Sequence, residues 1–178
     1  MNGKAAHTLN RKIPFSEFYP VLKQKVIIAF AVLYLVTVAN SLVSYFVGFG
    51  MNASHSLVGN VFIENRMDVS LRRGEIFTFK YFGEIYPHGS KFTKRIVGLP
   101  GDVVTVRGRT FYINDVPVGE AKEFGLLGQP LKMNEFRGVI PRGKFWFATE
   151  HVDSFDSRYA DAGLGDEQDV IGRAYTLF

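Results

Sequence analysis

The chain has 178 residues, 47% of them hydrophobic and 21% charged, with a formal net charge of +4 at pH 7 and no cysteine. The missing thiols exclude disulfides, thiolate metal sites and a cysteine nucleophile. Much of the positive excess lies before residue 26 and the remainder is nearly balanced, so the charge points to no nucleic-acid partner.

Residues 1–25 form a basic tail carrying Lys4, Arg11, Lys12, Lys23 and Lys25. Residues 26–50, VIIAFAVLYLVTVANSLVSYFVGFG, contain no charge, and about 20 apolar residues cross the hydrocarbon of a bilayer as a helix. A buried core helix of that length would keep a polar face. A cleaved leader would have an apolar core of only about 7 to 15 residues. The segment therefore reads as a single transmembrane helix with its partner the lipid bilayer. The cations before it, with no charge after it until Glu64, place the N-terminus in the cytoplasm and residues 51–178 on the far side.

The exported part opens with NASHSLVGN, Asn52 to Asn60. In extended chain Ser54 and Ser56 share a side that His55 does not, so His55 is badly placed to serve Ser56. Taken alone the stretch reads as a polar linker, and its Asn-Ala-Ser fits a glycosylation acceptor. Beyond it, short runs rich in β-branched and aromatic residues alternate with Gly, Pro, Asn and Asp, which predicts a compact all-β domain. The expected strands are Val61–Asn65, Glu75–Phe82, Phe92–Gly98, Val103–Arg107, Thr110–Asn114 and Lys144–Ala148. Leu99-Pro100-Gly101-Asp102 places Pro and Gly at the centre of a type II turn. Arg107-Gly108-Arg109 and Asn114-Asp115 are further turns, and Val118–Gly138 reads as a surface excursion with at most short structure.

Two stretches bear on chemistry. In FTKRIVGLPGD, strand alternation puts Phe92, Lys94 and Ile96 on one face. If that face is apolar, the ammonium loses hydration and its pKa falls, by about three units for an amine ready to act as a general base. A pair of surface cations is the competing reading. DSFDSRY, Asp153 to Tyr159, gathers carboxylates, hydroxyls and an arginine in what composition alone describes as an Asx-rich loop. A Ser-His-Asp arrangement of Ser56 with His88 or His151 is a rival nucleophilic scheme. The histidines lack a metal-ligand spacing such as His-Glu-x-x-His, so no metal or other cofactor is expected.

Taken together, KRIVGLPGD and SFDSRY after an anchor and a serine-bearing stretch resemble the signal peptidase I family of membrane-bound serine proteases with a Ser-Lys dyad. RRGEIFTFK, VVTVRGRTFYINDVPV and VIPRGKFWFATE resemble its connecting strands, so the likeness covers most of Asn52 to Tyr159. The form SFDSRY and the small exported domain are most similar to the conjugal-transfer branch, the TraF-type peptidases that mature pilin subunits. The resemblance implies a mainly β, signal-peptidase-like catalytic domain behind a single anchor in the bacterial inner membrane, acting extracytoplasmically on exported precursors or pilins bearing leader peptides. It implies Ser56 as nucleophile, Lys94 as general base, Ser54 as an oxyanion donor and Ser154 as the hydroxyl that orients the amine. Asp156 and Arg158 fall at the supporting Asp-Ser-Arg, where Asp156 either holds Arg158 or acts more directly. The chain departs from the family at Ser56-Leu57-Val58-Gly59, which lacks the usual Met and Pro. It departs again at Thr149-Glu150 in place of Gly-Asp and at Tyr159-Ala160-Asp161 after the last box. A non-catalytic anchored assembly subunit is the alternative to a peptidase.

Overall fold

The computed structural model describes residues 15–51, 57 and 61–177. Ser54 and Ser56 lie outside the described residues, as does His55. The chain divides into two units, residues 1–43 and 44–178.

One helix, α1, runs from Phe15 to Phe46. Its apolar stretch Tyr19–Phe46 has 28 residues, a length of about 42 Å at 1.5 Å per residue, against a hydrocarbon core of about 30 Å. Apolar side chains point outward all round it: Phe30 and Tyr34 are each 68% exposed and Leu33 58%. By length and composition it is able to cross a membrane. It ends four residues before the expected boundary at Gly50, because Val47–Met51 is a strand. Gly48 suits this strand: a Cβ there would stand 2.3 Å from Glu64 Oε2, so glycine lets it lie against its neighbour without displacing that carboxylate.

The rest is mainly β, as expected. The strands are β1 (Val47–Met51), β2 (Val61–Asn65), β3 (Ile76–Tyr81), β4 (Ser90–Gly98), β5 (Val103–Arg107) and β6 (Thr110–Ile113). They continue as β7 (Val116–Glu120), β8 (Gly138–Val139), β9 (Lys144–Ala148), β10 (Gly165–Asp166) and β11 (Val170–Thr176). Seven form an antiparallel sheet in the order β1-β2-β11-β3-β4-β9-β10, and four form a second sheet, β7-β6-β5-β8. All six expected strands are present within a residue or two. The expected excursion from Val118 begins instead inside β7.

The turns follow their residues. Asp102 N–H bonds the Leu99 carbonyl at 3.0 Å, and Gly101 at φ 92° occupies the position of a type II turn that side chains resist. Asn114 and Asp115, at φ 49° and 65°, close the two-residue β6–β7 hairpin in the manner of a type I′ turn.

β9 joins two cores. Alternation sends Phe145 and Phe147 into a cluster with Phe77, Phe79 and Ile96. Trp146 and Ala148 go to the other face, against Val104, Phe111, Ile113, Ile140 and Tyr159. A strand buried on both faces needs an unbroken apolar run, and Phe145–Ala148 supplies one.

Candidate active site

β4 positions the lysine. Its register sets Lys94 opposite Phe77 on β3 and Ile96 opposite Phe147 on β9, so Lys94 emerges on the face of the aromatic cluster and is 6% exposed. The expectation that Phe92, Lys94 and Ile96 share a buried face holds, while Arg95 turns the other way and donates to the Gly74 carbonyl. The Lys94 ammonium is 5.9 Å from the centre of the Phe92 ring. Nζ donates to Ser154 Oγ at 3.0 Å. Burial pulls the amine from 10.5 down to about 8; the Asp156 charge opposes that fall and the Arg158 charge adds to it. With a value near 8, about one amine in ten is neutral at pH 7, whereas an ordinary lysine has about one in several thousand.

The segment from His151 to Tyr159 is held by an exchange of hydrogen bonds with β9. Ser157 N–H donates to the Phe147 carbonyl at 3.0 Å, and Phe147 N–H donates to Ser157 Oγ at 3.1 Å. Asp156, fully buried, faces Arg158 as a parallel fork: Nε donates to Oδ1 and Nη2 to Oδ2, each at 2.8 Å. The guanidinium then spends its other donors on backbone carbonyls, Glu120 at 2.9 Å, Ser154 at 3.1 Å and His151 at 3.3 Å. Through these contacts the ion pair fixes the carbonyl of the very residue whose hydroxyl meets Lys94. Gly119, at φ 131°, makes room: a Cβ there would lie 2.8 Å from Arg158 Nη1.

Two further residues have structural roles that the sequence did not assign them. Asn134, 7% exposed in the supposed surface excursion, donates from Nδ2 to the Ser157 carbonyl at 2.9 Å and from its N–H to the Arg158 carbonyl at 2.8 Å. Its Oδ1 accepts the Phe136 N–H at 2.9 Å. Only that short Asx pattern could have drawn notice. Asp161, which stands where the family pattern differs, accepts the Tyr81 hydroxyl and the Glu84 N–H, the latter at 2.8 Å. Burial, and then the bond to Asp161, push the Tyr81 phenol up to about 12.

The structure thus brings together Lys94, Ser154, Asp156 and Arg158. Of the histidines in the rival scheme, His151 accepts the Asp153 N–H on Nδ1 at 3.1 Å and the Arg158 Nη2 on its carbonyl, and His88 stacks edge-on against Phe82. Among the described residues, no group of three or more His, Asp or Glu side chains could hold a metal ion.

A sequence model of the family described as signal peptidase, peptidase S26, matches residues 21–178. The chain belongs to this family. This S26 chain is 32% identical over 100 residues to signal peptidase I U of Bacillus subtilis strain 168, a match covering 51% of each protein. It is 32% identical over 133 residues to the signal peptidase I of Bacillus licheniformis, covering 63% of the S26 chain and 71% of that relative. A Rickettsia typhi signal peptidase I is 26% identical over 97 residues, with 36% of its length covered. The chain therefore spans about half the length of the Bacillus subtilis relative. The crystal structure of a signal peptidase I from Enterococcus faecalis V583 aligns with 58% of the S26 chain and 96% of its own, at 26% identity and a TM-score of 0.40.

Proposed function

We propose that the chain is a membrane-anchored serine endopeptidase that removes leader peptides from exported precursors with a Ser-Lys dyad. The observation that carries this reading is the Lys94 amine, buried on an aromatic face, lowered to about 8 and held by a buried hydroxyl. A cation in such a place costs stability and persists where chemistry uses it. In the proposed reaction, neutral Lys94 takes the Ser56 proton as Ser56 Oγ attacks the carbonyl before the scissile bond. The Ser56 N–H and the Ser54 hydroxyl stabilise the oxyanion, each such donor contributing about 3 to 4 kcal/mol in comparable sites. Protonated Lys94 then returns its proton to the leaving amine, and water releases the acyl group. Ser154 orients Lys94, while Asp156 and Arg158 hold Ser154.

The apolar α1 anchors the enzyme with its basic end in the cytoplasm, which leaves the domain at the outer surface of a bacterial inner membrane where leaders emerge. The form SFDSRY narrows the substrate to a conjugative pilin. The test is to coexpress the full chain with leader-bearing precursors and candidate pilins, beside Ser56→Ala and Lys94→Ala, and to read mature N-termini and masses. Cleavage by the wild type alone supports the dyad. A product lighter by one water marks ring closure by the substrate's own amine, and cleavage that survives Lys94→Ala overturns the mechanism. Processing of general precursors but no pilin overturns the narrower substrate.

A further inference from the structure

The loop between β7 and β8 carries apolar side chains that the fold does not cover. Leu126 is 77%, Leu127 93% and Phe124 55% exposed, and Ile85, from the connection between β3 and β4, is also at 55%. The loop cannot fold them inward, because it is closed upon itself. Gly125 N–H bonds the Gln129 carbonyl at 2.8 Å and Gly128 N–H the Gly125 carbonyl at 3.0 Å. Leu127 N–H is taken by Gln129 Oε1 at 3.1 Å, and the stem is tied by Leu131 N–H to the Glu123 carbonyl at 2.8 Å. Single exposed leucines are ordinary, but a preformed apolar cluster at a concave surface marks a binding site.

Here the surface is concave. A groove of about 330 Å³ runs beneath the tip, walled by Ile85, Tyr86, Phe124, Leu126, Leu127 and Phe155, and Ser154 is part of its lining. That volume is at the small end of ligand sites, about 300 to 1,000 Å³, and suits one or two side chains rather than a cofactor. The aromatic wall is stiff: Tyr86 and Phe155 pack at 5.6 Å, and Phe155 stacks on Tyr159 at 5.7 Å. The two charged lining residues, Lys122 and Asp153, are paired with each other, so the groove presents no unmatched charge. The Asp153 carboxyl lies below its ordinary value chiefly because of the hydrogen bond from Lys122.

We infer that this groove is a substrate subsite, in which Leu126 and Leu127 clasp an apolar side chain of the peptide as it passes the Lys94–Ser154 pair. The inference rests on the peptidase reading above. It commits to the peptide rather than to lipid because Ser154, the residue that holds the proposed base, is part of the groove's lining, and because the two charges in that lining cancel. An aliphatic or aromatic residue fills it. An acidic or basic residue would be stripped of water against leucine and tyrosine with no partner to spare.

The test uses the full chain in detergent and peptides copying the cleavage region of a precursor that the wild type processes. Each position from five before to five after the cut is set in turn to Leu, Phe, Ala, Asp or Lys. At one position the wild type should prefer Leu or Phe over Asp and Lys by about 10- to 100-fold in kcat/KM, the range set by apolar pockets. Leu127→Asp should collapse the preference for Leu at that position and raise Lys above Asp, a gain that misfolding cannot produce. Leu126→Asp should act in the same direction. A profile identical to the wild type in both variants overturns the subsite. So does a fluorophore on Leu127→Cys, unique in a chain without cysteine, that brominated lipid quenches in reconstituted vesicles while the Leu127→Asp profile stays fixed; that pair of results assigns the tip to the membrane. If the wild type cleaves nothing, or Lys94→Ala cleaves equally well, the peptidase reading has failed and takes the subsite with it. An unchanged profile in an enzyme that still depends on Lys94 sinks the subsite alone.

Discussion

Lys94→Met should make the protein more stable while destroying the proposed cleavage activity. The amine falls from 10.5 to about 8 in the folded chain. At 1.36 kcal/mol per pH unit that is about 3 kcal/mol by which folding disfavours the charged form. The sign follows from proton binding. Between pH 8 and 10.5 the unfolded chain holds more protons on this lysine than the folded one, so stability rises with pH through that window. Below pH 8 both states are protonated and the full cost of burying the ammonium is present. Methionine has a similar length and no charge, so it escapes that cost. It also forfeits the 3.0 Å bond to Ser154, worth about 1 kcal/mol. The net expectation at pH 7 is a gain of about 2 kcal/mol, shrinking and then reversing as pH approaches 10.5. Urea unfolding of the detergent-solubilised full chain at pH 7, 8.5 and 10 measures it. A variant less stable than wild type at pH 7, or a difference that does not change with pH, would refute the claim that Lys94 is held against its preferred charge state.

Other expectations follow from the same contacts. The pH profile of kcat/KM should rise with an apparent pKa near 8 as Lys94 loses its proton, and a midpoint near 6.5 would instead report a histidine base. Ser154→Ala should lower kcat by about 10- to 100-fold with a much smaller change in KM, and Ser154→Thr should recover part of the loss, since the hydroxyl positions the amine rather than the peptide. Asp156→Ala leaves the Arg158 guanidinium, 2% exposed, without its counter-ion and should cost about 3 to 5 kcal/mol in urea unfolding. Adding Arg158→Met to that variant should restore much of the loss. Gly119→Ala must resolve a 2.8 Å clash with Arg158 Nη1 at φ 131° and should cost about 1 to 3 kcal/mol.

The parts legible in the sequence are those whose signal is local. Alternation in FTKRIVG located Lys94 on an apolar face because Phe92 and Ile96 flank it at strand spacing, and Pro100-Gly101 announced its turn through φ alone. What stayed hidden depends on partners far along the chain. β11 is a central strand between β2 and β3, yet its register shifts between Val170 and Gly172, and that irregularity blurs the period of two. β1 was absorbed into the apolar run of α1, since Val-Gly-Phe-Gly-Met satisfies either conformation until Glu64 is placed beside Gly48. Composition could describe DSFDSRY only as a loop. Its tie to Lys94 spans 60 residues and came from family likeness. Asn134 reaches its carbonyl partner 23 residues away, and no periodicity records such a bond.

Arg158 also has a consequence for how the domain comes apart. Its guanidinium grips the end of β7 in the smaller sheet, the loop that follows β9 in the larger one, and Asp156 between them. If the smaller sheet melts, Arg158 keeps Asp156 but loses the Glu120 carbonyl and is opened to water, so the contact couples the stability of the two sheets. Loosening of β7 is therefore relayed through Arg158 to the loop whose Ser154 hydroxyl meets Lys94.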